Sequence, residues 1–223
     1  MAERVAVKGD ISGERVLQVA AHLFREKGYL ATSVRDIARA ANMESGSLYY
    51  HYPSKEALLE AVMDRAIGAL HDAVKNALAE LTPEHTFQDR LRVAITAHLR
   101  TIHQYGDFAV ASRESLDKVP EKSRKQHVRR RRQYGQLWHK LFDDAKASGA
   151  MRKDVAVAPA QMFILGALNW TSEWLDPQRT TVEQASALLA DMVLNGLLTG
   201  RPRAPALSSR EYPAEPRSRR RTP

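Results

Sequence analysis

Hydrophobic residues recur at the spacing of an α-helix from the beginning of the chain. The first stripe consists of Val16, Val19, Ala20, Leu23 and Phe24, with polar residues between them. Ser12 is placed to cap the start of this helix, and Gly28 is placed to close its end. The pattern therefore predicts a first helix over about 12–28, preceded by a flexible arm at residues 1–11.

Two short helices joined by a tight turn are predicted next. Ser33 is a typical N-cap residue, and Asp36 follows three positions later as in a capping box. Asn42 tolerates the left-handed backbone conformation that a sharp turn requires, and a very short helix follows over 45–51. This arrangement has the geometry of a helix-turn-helix, which places its later helix in the major groove of DNA. Residues 12–56 are therefore predicted to form such a domain.

The pattern stays helical along the rest of the chain. The predicted helices span 54–80, 86–104, 107–118, 121–148, 159–175 and 181–199, with Thr180 and Glu183 as the capping box of the last one. No segment combines strand-like alternation with hairpin turns, so no strand is predicted. The predicted fold class is all-α, with an N-terminal three-helix helix-turn-helix domain and a C-terminal helical bundle over residues 57–200.

Composition narrows the class of protein. The chain has 223 residues, 43% of them hydrophobic, and no cysteine, which excludes disulfides and thiolate chemistry and suits a reducing cytoplasm. The longest apolar run, residues 162–168, is far shorter than the roughly 18 residues of a membrane span, and the first residues do not resemble a signal peptide. A cytoplasmic protein without a membrane partner is therefore predicted. Residues 201–223 are rich in Pro, Arg and Ser and are predicted to be a disordered basic tail.

The net charge of +8 is concentrated in two segments. The tail carries +5, residues 121–133 carry +6, and the remaining residues together carry −3. The predicted helix-turn-helix is thus not the basic part of the chain, and the high isoelectric point is weak evidence for DNA binding. The run Arg129–Arg132 reads most simply as the solvated face of a helix. It could alternatively meet the phosphates of a ligand or of DNA.

The short helix at 45–51 nevertheless carries the side chains that DNA recognition uses. Leu48 and Tyr52 can anchor it inward, which leaves hydroxyl and aromatic groups for phosphates and base edges. Gly46 allows the backbone to approach a phosphate, and Lys55 lies in the first turn of the next helix. By these residues alone, an ordinary helical corner with surface Ser and Tyr remains an equal alternative.

The stretch from about Val16 to Val62 resembles the DNA-binding domain of the tetracycline-repressor (TetR) family. The matching segments are AAHLFREKGY at 20–29, ATSVRDIA at 31–38 and GSLYYHYPSKEAL at 46–58. The resemblance implies double-stranded operator DNA as the partner and the following DNA-binding residues: Ser33, Arg35, Ser45, Gly46, Ser47, Tyr49, Tyr50, His51 and Lys55. Asn42 replaces the usual glycine and Glu44 an often-found capping Ser or Thr, so the cap and base contacts near Glu44 are in doubt.

The last two predicted helices present more apolar surface than one subunit covers. The helix at 159–175 is apolar on all sides for two turns, and the final helix has a wide apolar stripe. In the family that the chain resembles, these two helices form a four-helix bundle with a second copy. A homodimer through residues 159–199 is therefore predicted, with a buried helix of a monomer as the alternative.

Six residues are candidates for an effector cavity in the C-terminal bundle: His98, His103, Trp138, Asn169, Trp170 and Glu173. Polar residues amid apolar helices need partners, which makes Asn169 and Glu173 the most informative. Each residue also has an ordinary structural explanation as core, interface or surface. The region from Tyr134 to Pro177 resembles the TetR-family repressors of fatty-acid and steroid catabolism, which implies an acyl-CoA effector.

The sequence predicts no enzyme, no cofactor and no metal site. Motifs of zinc proteases, serine hydrolases and nucleotide-binding folds are missing, and His98 and His103 are five residues apart, the wrong spacing for a zinc pair on one helix face. The predicted function is a sequence-specific transcriptional repressor that a small apolar effector, such as an acyl-CoA, releases from its operator. The alternatives are a DNA-binding protein without ligand response, and an effector of another class such as an aromatic or drug-like molecule.

Overall fold

The computed structural model describes residues 2–198 and the side chains from residue 13 onward. In chain order the helices of this part are α1 (Ala2–Lys27), α2 (Val34–Ala40), α3 (Ser45–His51), α4 (Lys55–Ala79), α5 (Phe87–Gln104), α6 (Gly106–Ser115), α7 (Glu121–Ala147), α8 (Val157–Trp174) and α9 (Val182–Leu197). Within it, β pairing is limited to one isolated antiparallel bridge between Met151 and Leu198. The predicted all-α class is confirmed, and the predicted tail at 201–223 lies outside the described residues.

Local signals fix most helix ends near the predicted positions. Ser33 and Asp36 form the predicted capping box of α2, and Asn42 has the left-handed φ of 56° in the turn before α3. Two ends differ. The structure continues α1 back to Ala2 rather than starting it at Ser12. The predicted division of the chain at residues 11 and 56 stays a prediction.

The capping box of the last helix is also one residue later than predicted. Thr181 and Gln184 form it, instead of Thr180 and Glu183. The backbone N–H of Thr180 donates to the Asp176 carbonyl (3.0 Å), so Thr180 belongs to the preceding turn. Glu183 is engaged elsewhere, because its carboxylate accepts a bond from Arg100 Nε (3.0 Å).

Two hydrophobic cores organise the molecule. The N-terminal core joins α1, α2, α3 and the first half of α4 with Phe108 and Ala111 of α6 and Val119. The C-terminal core joins the second half of α4 with α5, α7, α8 and α9. Helix α4 is continuous between them: Leu58 to Ala66 face the N-terminal core, whereas Ile67, Leu70 and Val74 face the C-terminal core. A displacement in one core can therefore reach the other through one rigid helix.

Candidate functional site

Helix α3 is held to the protein by one side. Leu48 is 0% exposed within the N-terminal core, and a helix of seven residues depends on such packing because it is too short to be stable alone. The anchoring turns Gly46, Ser47, Tyr50 and His51 outward, and Tyr50 is 88% exposed. Ser45 is half-buried. Hydroxyl and aromatic groups thus cover the outer side of α3.

Gly46 and Glu44 show how the start of α3 is built. A Cβ at Gly46 would meet nothing within 4 Å, so packing inside the protein does not require glycine there. Glu44 occupies the N-cap position without a side-chain hydrogen bond to the helix. Glu44 therefore does not replace the capping function of the Ser or Thr that is often found at this position.

The side chain of Ser33 is already engaged within the protein. Its Oγ accepts a bond from the Asp36 N–H (3.1 Å) and donates to Asp36 Oδ2 (2.5 Å). The bond from Ser33 Oγ to Oδ2 and a second bond from the Ser33 backbone N–H to the same oxygen (3.0 Å) favour the ionised carboxylate and lower the pKa of Asp36. Ser33 therefore fixes the start of α2, and Arg35 of the same helix extends into solvent.

Lys55 lies folded against the protein at the start of α4. Its Nζ is 4.3 Å from the centre of the Tyr29 ring and 3.4 Å from the carbonyl oxygen of Leu30. This partial desolvation lowers the pKa of Lys55. Tyr29 donates from its hydroxyl to Glu56 Oε1 (3.2 Å), which positions the ring under the ammonium group.

Three of the six predicted effector residues come together between α5, α7 and α8. His98 is fully buried, and its ring is 6.1 Å from that of the buried Trp138. Asn169 is exposed rather than enclosed in the core, but its amide is close enough to oppose part of the fall in the pKa of His98. Burial lowers the pKa of His98 to about 3, so its imidazole is neutral. The Nε2 of His98 and the Nε1 of Trp138 are both buried without a well-formed hydrogen bond.

The other three predicted effector residues are not part of this group. Glu173 pairs with Arg113 Nη2 at 2.5 Å, which lowers the pKa of Glu173, and Trp170 lies beneath the Arg113 guanidinium at 5.8 Å. His103 is half-buried with an unpartnered Nε2, and burial lowers its pKa.

Sequence reasoning missed two residues that contact the candidate effector residues. The Tyr134 hydroxyl lies 2.5 Å from His98 Nδ1, and burial raises the pKa of that hydroxyl, so it stays protonated. The sequence signal was present, since Tyr134 is one turn before Trp138 on the apolar side of α7. Arg113 of α6, the partner of Glu173, gave no signal, because its pairing depends on how α6 packs beside α8.

Comparison with known proteins covers both cores. Residues 16–62 match the family described as bacterial regulatory proteins, tetR family. Residues 84–197, more than half of the chain, match the description Tetracyclin repressor-like, C-terminal domain. The chain belongs to the TetR family. It is a ligand-responsive, DNA-binding transcriptional repressor and not an enzyme.

Individual relatives agree with the family. The HTH-type transcriptional repressor KstR2 of Rhodococcus jostii (strain RHA1) is 28% identical over 195 residues, which cover 83% of this chain and 92% of KstR2. The structure of the regulator PfmR from Thermus thermophilus matches with a TM-score of 0.73 at 29% identity, covering 81% of this chain and 97% of PfmR. AibR, in complex with isovaleryl coenzyme A and operator DNA, matches with a TM-score of 0.70 at 22% identity over 84% of this chain and 98% of AibR. This last likeness shows the fold alone.

Two ion-pair groups connect the DNA-binding region of this TetR-family repressor to the rest. Asp107 of α6 accepts from Arg25 Nη1 (2.8 Å) and lies 3.0 Å from His22 Nδ1, both on α1. Arg65 of α4 donates to the Glu14 carboxylate (3.1 Å) and to the Tyr105 hydroxyl (2.8 Å). Helices α1, α4 and α6 are therefore tied together where the two cores meet.

The outer faces of α8 and α9 expose large apolar side chains. Both helices pack on α5. The exposed residues are Met162, Phe163, Trp170 and Trp174 on α8 and Leu188 and Met192 on α9. None of the helices in the described part is long and apolar enough to cross a membrane.

Proposed function

We propose that this repressor reads its operator with the exposed face of α3, flanked by Arg35 and Lys55, and that it does so as a homodimer. The observation that carries the proposal is the one-sided anchoring of α3 by Leu48, which presents Ser47, Tyr50 and His51 together to solvent. Tyr49 is 48% exposed and flanks this face. Hydroxyl and ring N–H groups of this kind form hydrogen bonds to phosphate oxygens and base edges in protein–DNA complexes.

Two lysines on α4 allow a matched test of the operator surface. Lys55 and Lys75 lie at opposite ends of the helix, about 30 Å apart at 1.5 Å per residue. Lys55→Ala is expected to weaken binding to every duplex and to reduce the slope of log affinity against log salt by about one. Lys75→Ala should leave the slope unchanged. Ser47→Ala should alter sequence preference in a selection from random duplexes. Equal slopes for the two lysine variants would contradict the proposed placement of Lys55.

The dimer proposal rests on the apolar outer faces of α8 and α9. Phe163 is 80% exposed and Leu188 is 63% exposed in the single chain. Large exposed apolar patches on soluble proteins mark sites of association with other molecules. Leu188→Asp is expected to give monomers in sedimentation at micromolar concentration without loss of helix content. Val128→Asp on α7 is the control at another exposed apolar residue, and it should leave the dimer intact. A wild-type monomer under these conditions would end the proposal.

The effector proposal concerns the buried group of His98, Tyr134 and Trp138. When Tyr134 donates to Nδ1 of the neutral imidazole, Nε2 carries a proton, so His98 and Trp138 each offer a buried N–H donor without a well-formed hydrogen bond. An unsatisfied buried polar group costs about 1–3 kcal/mol. A carbonyl oxygen, such as that of an acyl thioester, would satisfy these donors while its apolar chain enters the C-terminal core. AibR, whose fold this chain shares, was crystallised with isovaleryl coenzyme A and operator DNA.

An acyl-CoA panel in a DNA shift assay tests this site. In such switches the effector changes DNA affinity roughly 5- to 150-fold. The double variant His98→Leu/Tyr134→Phe removes both partners of the hydrogen bond, so no hydroxyl is left unpaired, and it should lose this response. His127→Leu is the matched control, because His127 is also a buried histidine but lies outside the group. A response to aromatic molecules instead of acyl-CoAs, or an unchanged response in the double variant, would overturn the assignment.

A further inference from the structure

Helix α7 begins beside the DNA-binding region and carries a strongly basic exposed surface. Six exposed cations form this surface, which we call the basic α7 face: Lys122, Arg124, Lys125, Arg129, Arg131 and Arg132. Residues 121–133 carry seven cations against one acid, Glu121, which pairs with Lys125 at 2.6 Å. Arg130 is separate from the face, because it is half-buried and pairs with Asp64 (3.1 Å).

Contacts at the start of α7 place the first cations of this face near the N-terminal part of α4, which carries Lys55. Val119, just before α7, is buried in the N-terminal core. Ser123 donates a hydrogen bond to Glu60 of α4. Glu60 follows Lys55 by five residues, about 7.5 Å along the helix. The basic α7 face therefore starts at the second turn of α4 and extends about 15 Å from Lys122 to Arg132. Because Arg130 pairs with Asp64, four residues beyond Glu60, the first cations of the face lie nearest to Lys55.

The repeated positive charge is unfavourable for the helix by itself. Lys125, Arg129 and Arg132 follow each other at spacings of four and three, where like charges repel by about 0.2–0.5 kcal/mol per pair. The field also reaches the interior, because Arg131 and Arg130 add to burial in lowering the pKa of His127 to about 4. An anionic partner would remove this repulsion.

The DNA-binding region itself carries little net positive charge. Residues 13–56 contain six cations and five acids, a net charge of +1. One of those cations, Arg25, is paired with Asp107. Affinity for DNA depends mainly on neutralising phosphates and releasing their counterions. Cations outside α2 and α3 can add to this neutralisation.

We propose that the basic α7 face binds the phosphate backbone of DNA flanking the operator half-site. This contact adds to the α3 surface and rests on the DNA binding of the family. It carries no sequence information, because phosphates are the same at every base pair. It therefore acts on random-sequence duplex and on operator alike.

Salt titration of two charge-matched variants tests the proposal. Lys122→Gln/Arg129→Gln removes two cations of the face, and Lys75→Gln/Lys153→Gln removes two exposed cations elsewhere. Binding of the full chain to a random-sequence duplex is measured between about 50 and 200 mM salt, after thermal unfolding confirms that both variants are folded. The loss of two phosphate contacts makes the slope less steep by about two, so wild type loses about tenfold more affinity than the face variant across this range. The control variant should keep the wild-type slope.

The same titration separates this proposal from its alternatives. Equal slopes for the face variant and the control would overturn it. So would an unchanged slope together with weaker binding of a coenzyme A thioester, because the face would then serve the phosphates of a small ligand. Lys55→Ala measured in parallel reports on the α3 surface, so failure of the α7 contact is distinguishable from failure of the proposed operator site.

Discussion

The two cores of this repressor are surrounded by opposite arrangements of polar and apolar groups. Around the N-terminal core the polar groups of α3 lie outside and the apolar anchor Leu48 lies inside. Around the C-terminal core the polar atoms of His98 and Trp138 are buried, whereas Phe163 and Met192 are exposed. In the first region, the apolar anchor is covered by residues of the same chain. The second holds buried N–H groups without a well-formed hydrogen bond and exposes large apolar side chains, which the proposed ligand and second subunit would cover.

The largest effect should come from removing the anchor of α3. Leu48→Ala leaves a cavity in the N-terminal core and is expected to lower the free energy of unfolding by about 2–5 kcal/mol. Operator binding should disappear while the proposed dimerisation through α8 and α9 persists, since those helices belong to the other core. Denaturant unfolding, shift assays and sedimentation measure the three effects.

Leu30→Ala is the matched control for that prediction. Leu30 belongs to the same region but is 76% exposed, so its truncation should change stability by less than about 0.5 kcal/mol. Equal losses in the two variants, or a monomeric Leu48→Ala protein, would show that the two cores do not divide the functions.

Acidification should weaken the C-terminal core through His98. Its pKa is about 3 in the folded protein and 6.5 when unfolded, so the unfolded chain binds the proton more readily as the pH falls below 6.5. The contribution of His98 is complete above pH 6.5 and is lost progressively towards pH 3. Between pH 6.5 and 5 the loss is up to about 2 kcal/mol, at 1.36 kcal/mol for each unit of pH.

Denaturant unfolding at the two pH values measures this dependence. The double variant His98→Leu/Tyr134→Phe should lose the His98 part of the slope and retain the part that comes from the buried His127, whose pKa is also lowered, to about 4. An identical pH dependence in wild type and the double variant is incompatible with a buried neutral His98.

The turn before α3 should show a smaller effect. Asn42 has a φ of 56°, a region in which residues with a Cβ other than Asn and Asp are strained. Asn42→Ala is expected to lower the free energy of unfolding by about 1 kcal/mol. Asn42→Gly is the control, because glycine adopts this φ without strain and should be as stable as wild type. If alanine is tolerated as well as glycine, the turn is not set by this residue.

The features that could be predicted from the sequence are those that residues close together in the chain determine. The capping box of Ser33 and Asp36, the turn at Asn42 and helix α3 depend on residues within one or two turns, and each was confirmed. The predicted N-cap of α9 was wrong because two adjacent threonines could fill this position. Thr180 forms a backbone hydrogen bond to Asp176 in the preceding turn, which leaves Thr181 as the N-cap.

Contacts between distant helices could not be predicted in the same way. Tyr134 beside His98 and Arg113 beside Glu173 join residues 36 and 60 positions apart. Periodicity assigns a residue to a helix face but does not say which face of another helix it meets. This explains why residues of α3, one short segment, were found on one surface, whereas only three of the six effector candidates came together.

The smallest effect on stability should come from the ion pairs that join α6 to α1. Asp107 binds Arg25 and His22 at a partly exposed site, and such pairs contribute less than about 1 kcal/mol. Asp107→Asn should therefore leave the free energy of unfolding nearly unchanged. It should still weaken the response of DNA binding to effector severalfold, because α6 loses its polar contact with α1 while each binding surface stays intact. The measurement is operator affinity with and without effector, and effector affinity with and without operator, since coupling is reciprocal. Asp144→Asn breaks an exposed pair with Lys140 within α7 and serves as the control. Full coupling in Asp107→Asn would mean that this ion pair is not needed to transmit the signal.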